Sequence, residues 1–363
     1  MSRAAHLLLA VSGHGYGHLA QCAPIINTLA HQLPGLRLTL MSALPQAVLA
    51  ERIEKEFTCI HAETDPVLRM HSAWEVDVPA SQAVFREFHQ RRATLLAELR
   101  GQLRALKPDL VLANIPWLLL AAATRENIPA VALCSLNWAA IFSHYLGSCP
   151  GSREILADMW SGYRAAGVFL APAPALPMPE LSNYRALGPV ARLGTPQGTA
   201  LREQLAVADA TRLVLVGLGG IDTDLPLDSW PQLDGVVWLF PQELDLPRID
   251  RVDCRGLDIP MIDILASADA VLTKPGYGTY TEAVCNGVPL LTLARPDWPE
   301  TAYLNAWAQE HGNLREISAQ QFKFGSYADV LADLLQLPKK TPPSPTGIQQ
   351  AVDLLAAMLT GPR

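Results

Sequence analysis

What the chain lacks narrows its class quickly. Its most apolar window, Ile115–Ala123, falls short of the ~20 residues needed to cross a bilayer. Residues 1–12 do not have the layout of a secretory signal. Lysine and arginine form no run, and the net charge is −7, so neither nucleic acid nor an acidic membrane surface is expected as a partner. The 6 cysteines (22, 59, 134, 149, 254 and 285) include no CxxC pair, which leaves no structural zinc and predicts a reduced, cytoplasmic protein. Charged residues make up only 17% of the chain and hydrophobic ones 50%. At 363 residues that is enough for two globular domains, each with its own core.

A dinucleotide fingerprint is also missing. Gly13, Gly15 and Gly17 follow the first apolar run, but their spacing is GxGxG rather than GxGxxG. The second run ends Leu-Met-Ser-Ala-Leu, without the acidic residue that would bind a ribose. Nicotinamide chemistry is therefore not expected.

What is present alternates between strand and helix periods. Leu7–Val11 reads as a strand and is followed by SGHGYGH at Ser12–His18 and a helix to about Leu33. Then come strand Leu36–Met41, helix Pro45–Glu56 and strand Phe57–His61. An irregular stretch, 62–79, carries His71, Trp74 and Asp77 and is long enough to be a functional loop. A single helix is predicted over Ala80–Leu106, then strands at 108–113 and 130–135. The pattern predicts an α/β fold with parallel sheets covered by helices. Five prolines within Val168–Arg192 favour an extended connector. The expected division is a first domain over 1–170, a linker over 171–192, a second α/β domain over 193–342, and a final helix in 343–363.

The second domain is organised around AVLTKPGYGTYTEAVCNGVPLLTLA, Ala270–Ala294. A strand over Ala270–Thr273 runs into a loop with Pro275, Gly276 and Gly278. A helix is expected from Thr279 to Asn286, with Gly287 in the left-handed position after it and Pro289 barring continuation. Such a strand, glycine loop and helix start offers backbone N–H groups and a positive dipole end to a phosphate. Glu282 lies one turn into that helix. It either accepts hydrogen bonds from a ribose diol or closes a Thr279-x-x-Glu282 capping box. Gly219 and Gly220, after strand Arg212–Val216, and Lys274 are further phosphate candidates.

These motifs resemble those of sugar-nucleotide-dependent glycosyltransferases of the two-domain "B" fold. Residues Ala266–Asn305 look like the donor segment of the peptidoglycan N-acetylglucosaminyltransferase and the UDP-glycosyltransferases. They also look like that of the glycosyltransferase-like N-terminal part of L-arabinokinase. The resemblance implies two Rossmann-like domains facing each other across a cleft, with a C-terminal helix crossing back to the first. It places the diphosphate at Gly276, Tyr277, Gly278 and Thr279 and the ribose at Glu282. It puts the donor sugar's hydroxyls at Asp297 or Glu300 and the base at the main chain of Leu257–Met261. Gly-Tyr-Gly-His-Leu-Ala matches the turn that carries the catalytic histidine, which makes His18 the base rather than His14. On that side His14, Gly15, Tyr16, Gly17, Asn137 and Trp138 would line the acceptor.

His18 also reads as a base on its own terms, since it opens a helix at the end of the first strand, where open α/β sheets bind ligands. The alternative is a histidine that merely caps the helix. A His14–His18 metal pair lacks a third ligand, and no metal or cofactor is expected. In one position the chain departs from the pattern: where the resembling families carry an acidic partner for the histidine, it has Asn114. Asparagine fixes a tautomer but supplies no charge. The expected function is thus inverting transfer from a nucleoside-diphosphate sugar, with a uridine carrier favoured, to an unidentified acceptor. A sugar-nucleotide isomerase or epimerase, or a binding protein without turnover, are the alternatives. Kinase activity is not expected, because there is no kinase glycine loop and no room for a sugar-kinase domain.

Overall fold

The computed structural model describes residues 4–71, 75–218, 225–226, 229–241, 248 and 250–361. The chain divides into two compact units, one of residues 1–190 with 346–363 and the other of residues 191–345.

In the first unit seven parallel strands stand in the order β3-β2-β1-β4-β5-β6-β7. They are β1 (His6–Val11), β2 (Arg37–Ser42), β3 (Thr58–His61), β4 (Leu110–Asn114), β5 (Ala130–Leu133), β6 (Val168–Pro172) and β7 (Tyr184–Leu187). Strands β1, β4 and β5 are buried along their whole length, as continuous apolar runs covered on both faces should be. Helix α1 (Gly17–Gln32) follows β1 and buries Leu19, Cys22, Ile25, Ile26 and Leu29.

Several local expectations are corrected here. Helix α2 (Gln46–Ala50) is short, because Asn27 takes over the backbone beyond it, donating to Arg52 O at 2.9 Å and accepting from Glu54 N at 3.1 Å. The long helix expected over 80–106 is two, α3 (Val78–Gln90) and α4 (Arg92–Leu106), broken at Arg91. The break lets α3 pack on α6 (Trp138–Leu146) and α7 (Ser152–Ala165), while α4 packs on α5 (Trp117–Arg125). The proline-rich stretch 171–192 holds the end of β6 and all of β7, the edge strand, so it is mostly sheet and connection rather than linker. Its prolines at 174, 177 and 179 fall between the two strands, where no ladder bond is needed.

The second unit repeats the layout with six parallel strands in the order β10-β9-β8-β11-β12-β13. These are β8 (Arg212–Gly217), β9 (Val236–Phe240), β10 (Arg251–Asp253), β11 (Ala270–Thr273), β12 (Leu290–Leu293) and β13 (Leu314–Ile317). Helix α8 (Gly198–Gln204) opens the unit, and α9 (Met261–Ser267) leads to β11. Helix α10 (Tyr277–Cys285) links β11 to β12, and α11 (Thr301–His311) links β12 to β13. Leu213, Leu215, Leu239, Ile264, Val271, Tyr280, Leu290 and Leu304 form its core. Gly287 takes φ +71° after α10, as its place in the sequence requires. Helices α12 (Ala319–Lys323) and α13 (Ala328–Gln336) complete the unit. Helix α14 (Gly347–Thr360) belongs to the first, where it packs on α1 and β7.

Each sheet reverses its strand order once, between β1 and β4 in the first unit and between β8 and β11 in the second. Crevices at such reversals, outside the carboxyl ends of the strands, are where open α/β sheets bind ligands.

Candidate functional site

Both reversals carry the residues singled out by the sequence. In the first unit, Ser12 N donates to Asn114 O at 2.7 Å, extending the β1–β4 pairing past the strands. The chain then turns through Gly15, whose φ of +74° excludes most other residues, and starts α1 with Tyr16 as N-cap and no side-chain cap. His18 is the second residue of that helix. Its Nδ1 lies 2.7 Å from Oδ1 of Asn114, the last residue of β4. An amide oxygen only accepts, so Nδ1 carries the proton and Nε2 holds the lone pair. Burial pulls the His18 imidazolium down to about 4, against the Asn114 hydrogen bond that raises it. The ring is thus a neutral acceptor near pH 7.

The amide is itself held. Asn114 Nδ2 donates to Gln21 Oε1 at 3.4 Å, and that oxygen also accepts from Ser135 N at 3.1 Å. Gln21 Nε2 donates to Ser135 Oγ at 3.0 Å. Cys134 Sγ lies 3.8 Å from His18 Nδ1. Cys22, which reaches the same amide, is pushed up to about 12 by burial and stays a neutral thiol. Trp138 packs on both histidines, edge-on to His14 with ring centroids 5.1 Å apart and tilted against His18 at 5.6 Å. Its indole N–H donates to Asp65 Oδ2 at 2.6 Å, and its backbone N–H donates to the Tyr163 hydroxyl at 3.1 Å. Asp65 also accepts from Thr64 Oγ1 at 3.0 Å. Burial raises its carboxyl to about 6, opposed by hydrogen bonds from Ser12, Thr64 and Trp138.

Asn137 and Trp138 were expected to line an acceptor, yet both are fully buried. Asn137 caps α6, its Oδ1 accepting from Ala140 N at 2.8 Å. Trp138 braces the histidines from within. Of the long loop's residues, Asp77 is the N-cap of α3, His71 approaches it at 3.7 Å, and Trp74 lies outside the described residues. No group of three His, Cys, Asp or Glu side chains able to hold a metal occurs among the described residues.

In the second unit, α10 starts at Tyr277 with Gly276 as N-cap and no side chain capping it. The capping-box alternative therefore fails: Thr279 is the third residue of the helix, not its cap. A Cβ built on Gly217, the last residue of β8, would lie 3.5 Å from the Thr279 methyl, so β8 and the start of α10 meet at the reversal. Gly219 and Gly220, just beyond, lie outside the described residues. Glu282 is held by Arg192, whose Nε donates to Oε1 at 2.7 Å. The partner is fixed in turn by Asn286, which donates to Arg192 O at 3.0 Å. The other carboxylate oxygen, Oε2, has no hydrogen bond to a described residue.

Lys274 ends the strand side of the turn. Its Nζ is buried with no hydrogen-bond partner among the described residues. Burial, and after it the Arg295 guanidinium, pulls the ammonium down to about 8. Arg295 is buried and stacks over Trp298 at 4.3 Å. In the same loop Glu300 is buried and accepts from Trp298 Nε1 at 3.5 Å, while Asp297 is exposed.

The structure thus brings together His18, Asn114, His14 and Trp138 in one unit, and Lys274, the Gly276–Thr279 turn and Glu282 in the other. Sequence reasoning missed Gln21, Asp65, Ser135, Arg192 and Arg295. For Gln21 a signal existed, a polar residue on the apolar face of α1, three positions from His18.

No protein-family model matches the chain. L-arabinokinase of Arabidopsis thaliana is 24% identical over 307 residues, 82% of this chain; the chain spans only 29% of that protein's length. Among solved structures, the calicheamicin glycosyltransferase superposes with a TM-score of 0.66 at 17% identity, covering 99% of this chain and 100% of its own. MurG of Acinetobacter baumannii superposes with a TM-score of 0.60 at 14% identity, covering 97% and 99%. Identities this low speak to architecture, and they agree with two parallel sheets whose strand order reverses at the candidate residues. The chain is built on the fold of the B-type glycosyltransferases.

Proposed function

We propose that the chain is a glycosyltransferase that moves a sugar from a nucleoside-diphosphate donor, most simply a uridine diphosphate sugar, to an acceptor hydroxyl with inversion. The observation that carries this reading is the His18 Nδ1–Asn114 Oδ1 contact of 2.7 Å at the β1–β4 reversal. It leaves Nε2 of a neutral imidazole to take the acceptor's proton. As that proton leaves, the acceptor oxygen attacks the anomeric carbon from the face opposite the diphosphate, and the carbon–diphosphate bond breaks. The charge that develops on the leaving group falls to the N-terminus of α10 and to Lys274, so this reading needs no metal. Glu282, with Oε1 held by Arg192, offers Oε2 to the ribose. Asp297 or Glu300 would take the sugar's hydroxyls. Asn114 orients His18 without a charge, so the imidazolium formed during transfer is stabilised less than a carboxylate partner would stabilise it.

The test is to incubate the chain with nucleotide sugars and a panel of hydroxyl acceptors, following nucleoside diphosphate and glycoside together. Equal release of both supports transfer. A changed sugar nucleotide without acceptor would instead indicate an isomerase or epimerase, and binding without either product a non-catalytic protein.

A further inference from the structure

One buried carboxylate in the first unit has no part in the steps above. Asp65 is only 6% exposed and lies in the stretch after β3. Burying a carboxylate is costly, and a neutral acceptor or a water would satisfy an indole N–H at lower cost. Instead, Asp65 Oδ2 accepts from Trp138 Nε1 at 2.6 Å, in the range of short, charge-assisted bonds. It also accepts from the hydroxyls of Thr64 and Ser12. Beside the local bond from Thr64, the bonds that Asp65 makes hold the end of β1, at Ser12, and the indole.

What the indole does is set by its neighbours. The contact between His18 Nδ1 and Asn114 Oδ1 fixes one point of the imidazole but leaves the ring free to pivot about that bond. The Trp138 ring, tilted at 47° against His18 with centroids 5.6 Å apart, closes off that pivot. With the ring so held, Nε2 keeps one direction.

We propose that Asp65 is a positioning residue for His18: through its bond to the Trp138 indole it sets the ring orientation that the Asn114 amide alone leaves open. The proposal rests on His18 being the base, and its test separates the two claims. Proton–nitrogen NMR of the imidazole rings of the full chain, with the His18 signal identified by its loss in His18→Gln, reports the ring without any turnover. In Asp65→Ala the His18 resonances should shift, and kcat should fall ~10–100-fold, the scale of a small misplacement, with donor KM unchanged. Asp65→Asn, whose amide oxygen still accepts the indole proton, should restore both most of the way. If Asp65→Ala does not fold, Trp138→Phe removes the same bond while keeping a ring, and the His18 signal must move there. His18 resonances identical to wild type in these variants would overturn the proposal. A wild-type chain that transfers no sugar would instead remove the base assignment, and the resonances would still decide on Asp65.

Discussion

Arg192 Nε lies 2.7 Å from Glu282 Oε1. The arginine opens the second unit and the glutamate sits in the helix that starts at its glycine turn, so a residue ninety positions away aims the carboxylate. Side-chain exposure is 14% for Glu282 and 35% for Arg192, which makes the pair a half-buried one whose value lies in direction more than in stability. In Glu282→Ala, nucleotide affinity should fall by ~1.5–3 kcal/mol, the range for a hydrogen bond to a charged group. Arg192→Met should give a smaller loss in the same direction. Isothermal titration with nucleoside diphosphates measures both, and full affinity in Glu282→Ala would remove it from the site.

His18→Ala should bind donor as wild type does and transfer ~10²–10⁴-fold more slowly, the usual cost of losing a general base. Steady-state rates beside donor titrations read the two effects separately. Undiminished transfer would end the base assignment.

Asn114→Asp puts a carboxylate where His18 Nδ1 already points. The imidazolium should titrate above its wild-type value of about 4, and turnover should rise as the charge formed in transfer gains a partner. An NMR titration of the His18 ring tests the first effect, and the rate with a working acceptor tests the second.

His18 and Asp65 should also pull stability in opposite directions over one pH window. His18 is depressed from 6.5 to about 4, so its contribution is whole above pH 6.5 and is lost as pH falls toward 4. Asp65 is raised from 3.8 to about 6, so its contribution is whole below pH 3.8 and is lost as pH rises through 6. Each is worth on the order of 2–3 kcal/mol. Relative to wild type, Asp65→Asn should gain stability with rising pH between 4 and 6, and His18→Gln should lose it. Urea titrations at several pH values in that window measure the slopes, and slopes of the same sign would contradict the assignment.

Lys274→Met should separate stability from binding. The wild-type ammonium is depressed from 10.5 to about 8, so wild-type stability should climb as pH rises from 8 to 10.5, and the variant should lack that climb. At pH 7 the variant should be more stable by on the order of 1–3 kcal/mol, yet bind nucleoside diphosphate more weakly. Melting curves and titrations on the same sample decide it.

The fold was legible in the sequence because its signals are local. Gly287 and Pro289 end α10, and unbroken apolar runs mark β1, β4 and β11. The pairing of His18 with Asn114 is legible through the family resemblance, and the fold accounts for it: Asn114 ends β4 and His18 opens the helix that follows β1, the two strands that flank the reversal. Other parts were hidden because their causes are distant. Helix α10 starts two residues before the expected Thr279, because Pro275, Gly276 and Gly278 read as one irregular loop although Gly278 lies within the first turn. Asp65 is separated from Trp138 by 73 positions, and no periodicity marks it in an irregular stretch. Tyr184–Leu187 reads as connector because prolines precede it, although an edge strand needs little more than a few extended residues.

Helix α14 gives the first unit a discontinuous chain: residues 346–363 complete it, whereas 191–345 form the second unit without interruption. On the ribosome the two therefore finish in the reverse of their order in the sequence. The second unit has all its residues as soon as Pro345 clears the exit tunnel. At that moment α1, which carries His18, still lacks the helix that covers one of its sides. Domains ordinarily fold as they emerge, the N-terminal one first. Here the half bearing the histidine has all seven of its strands by then, yet it must wait with the sides of α1 and β7 that α14 covers still open to solvent.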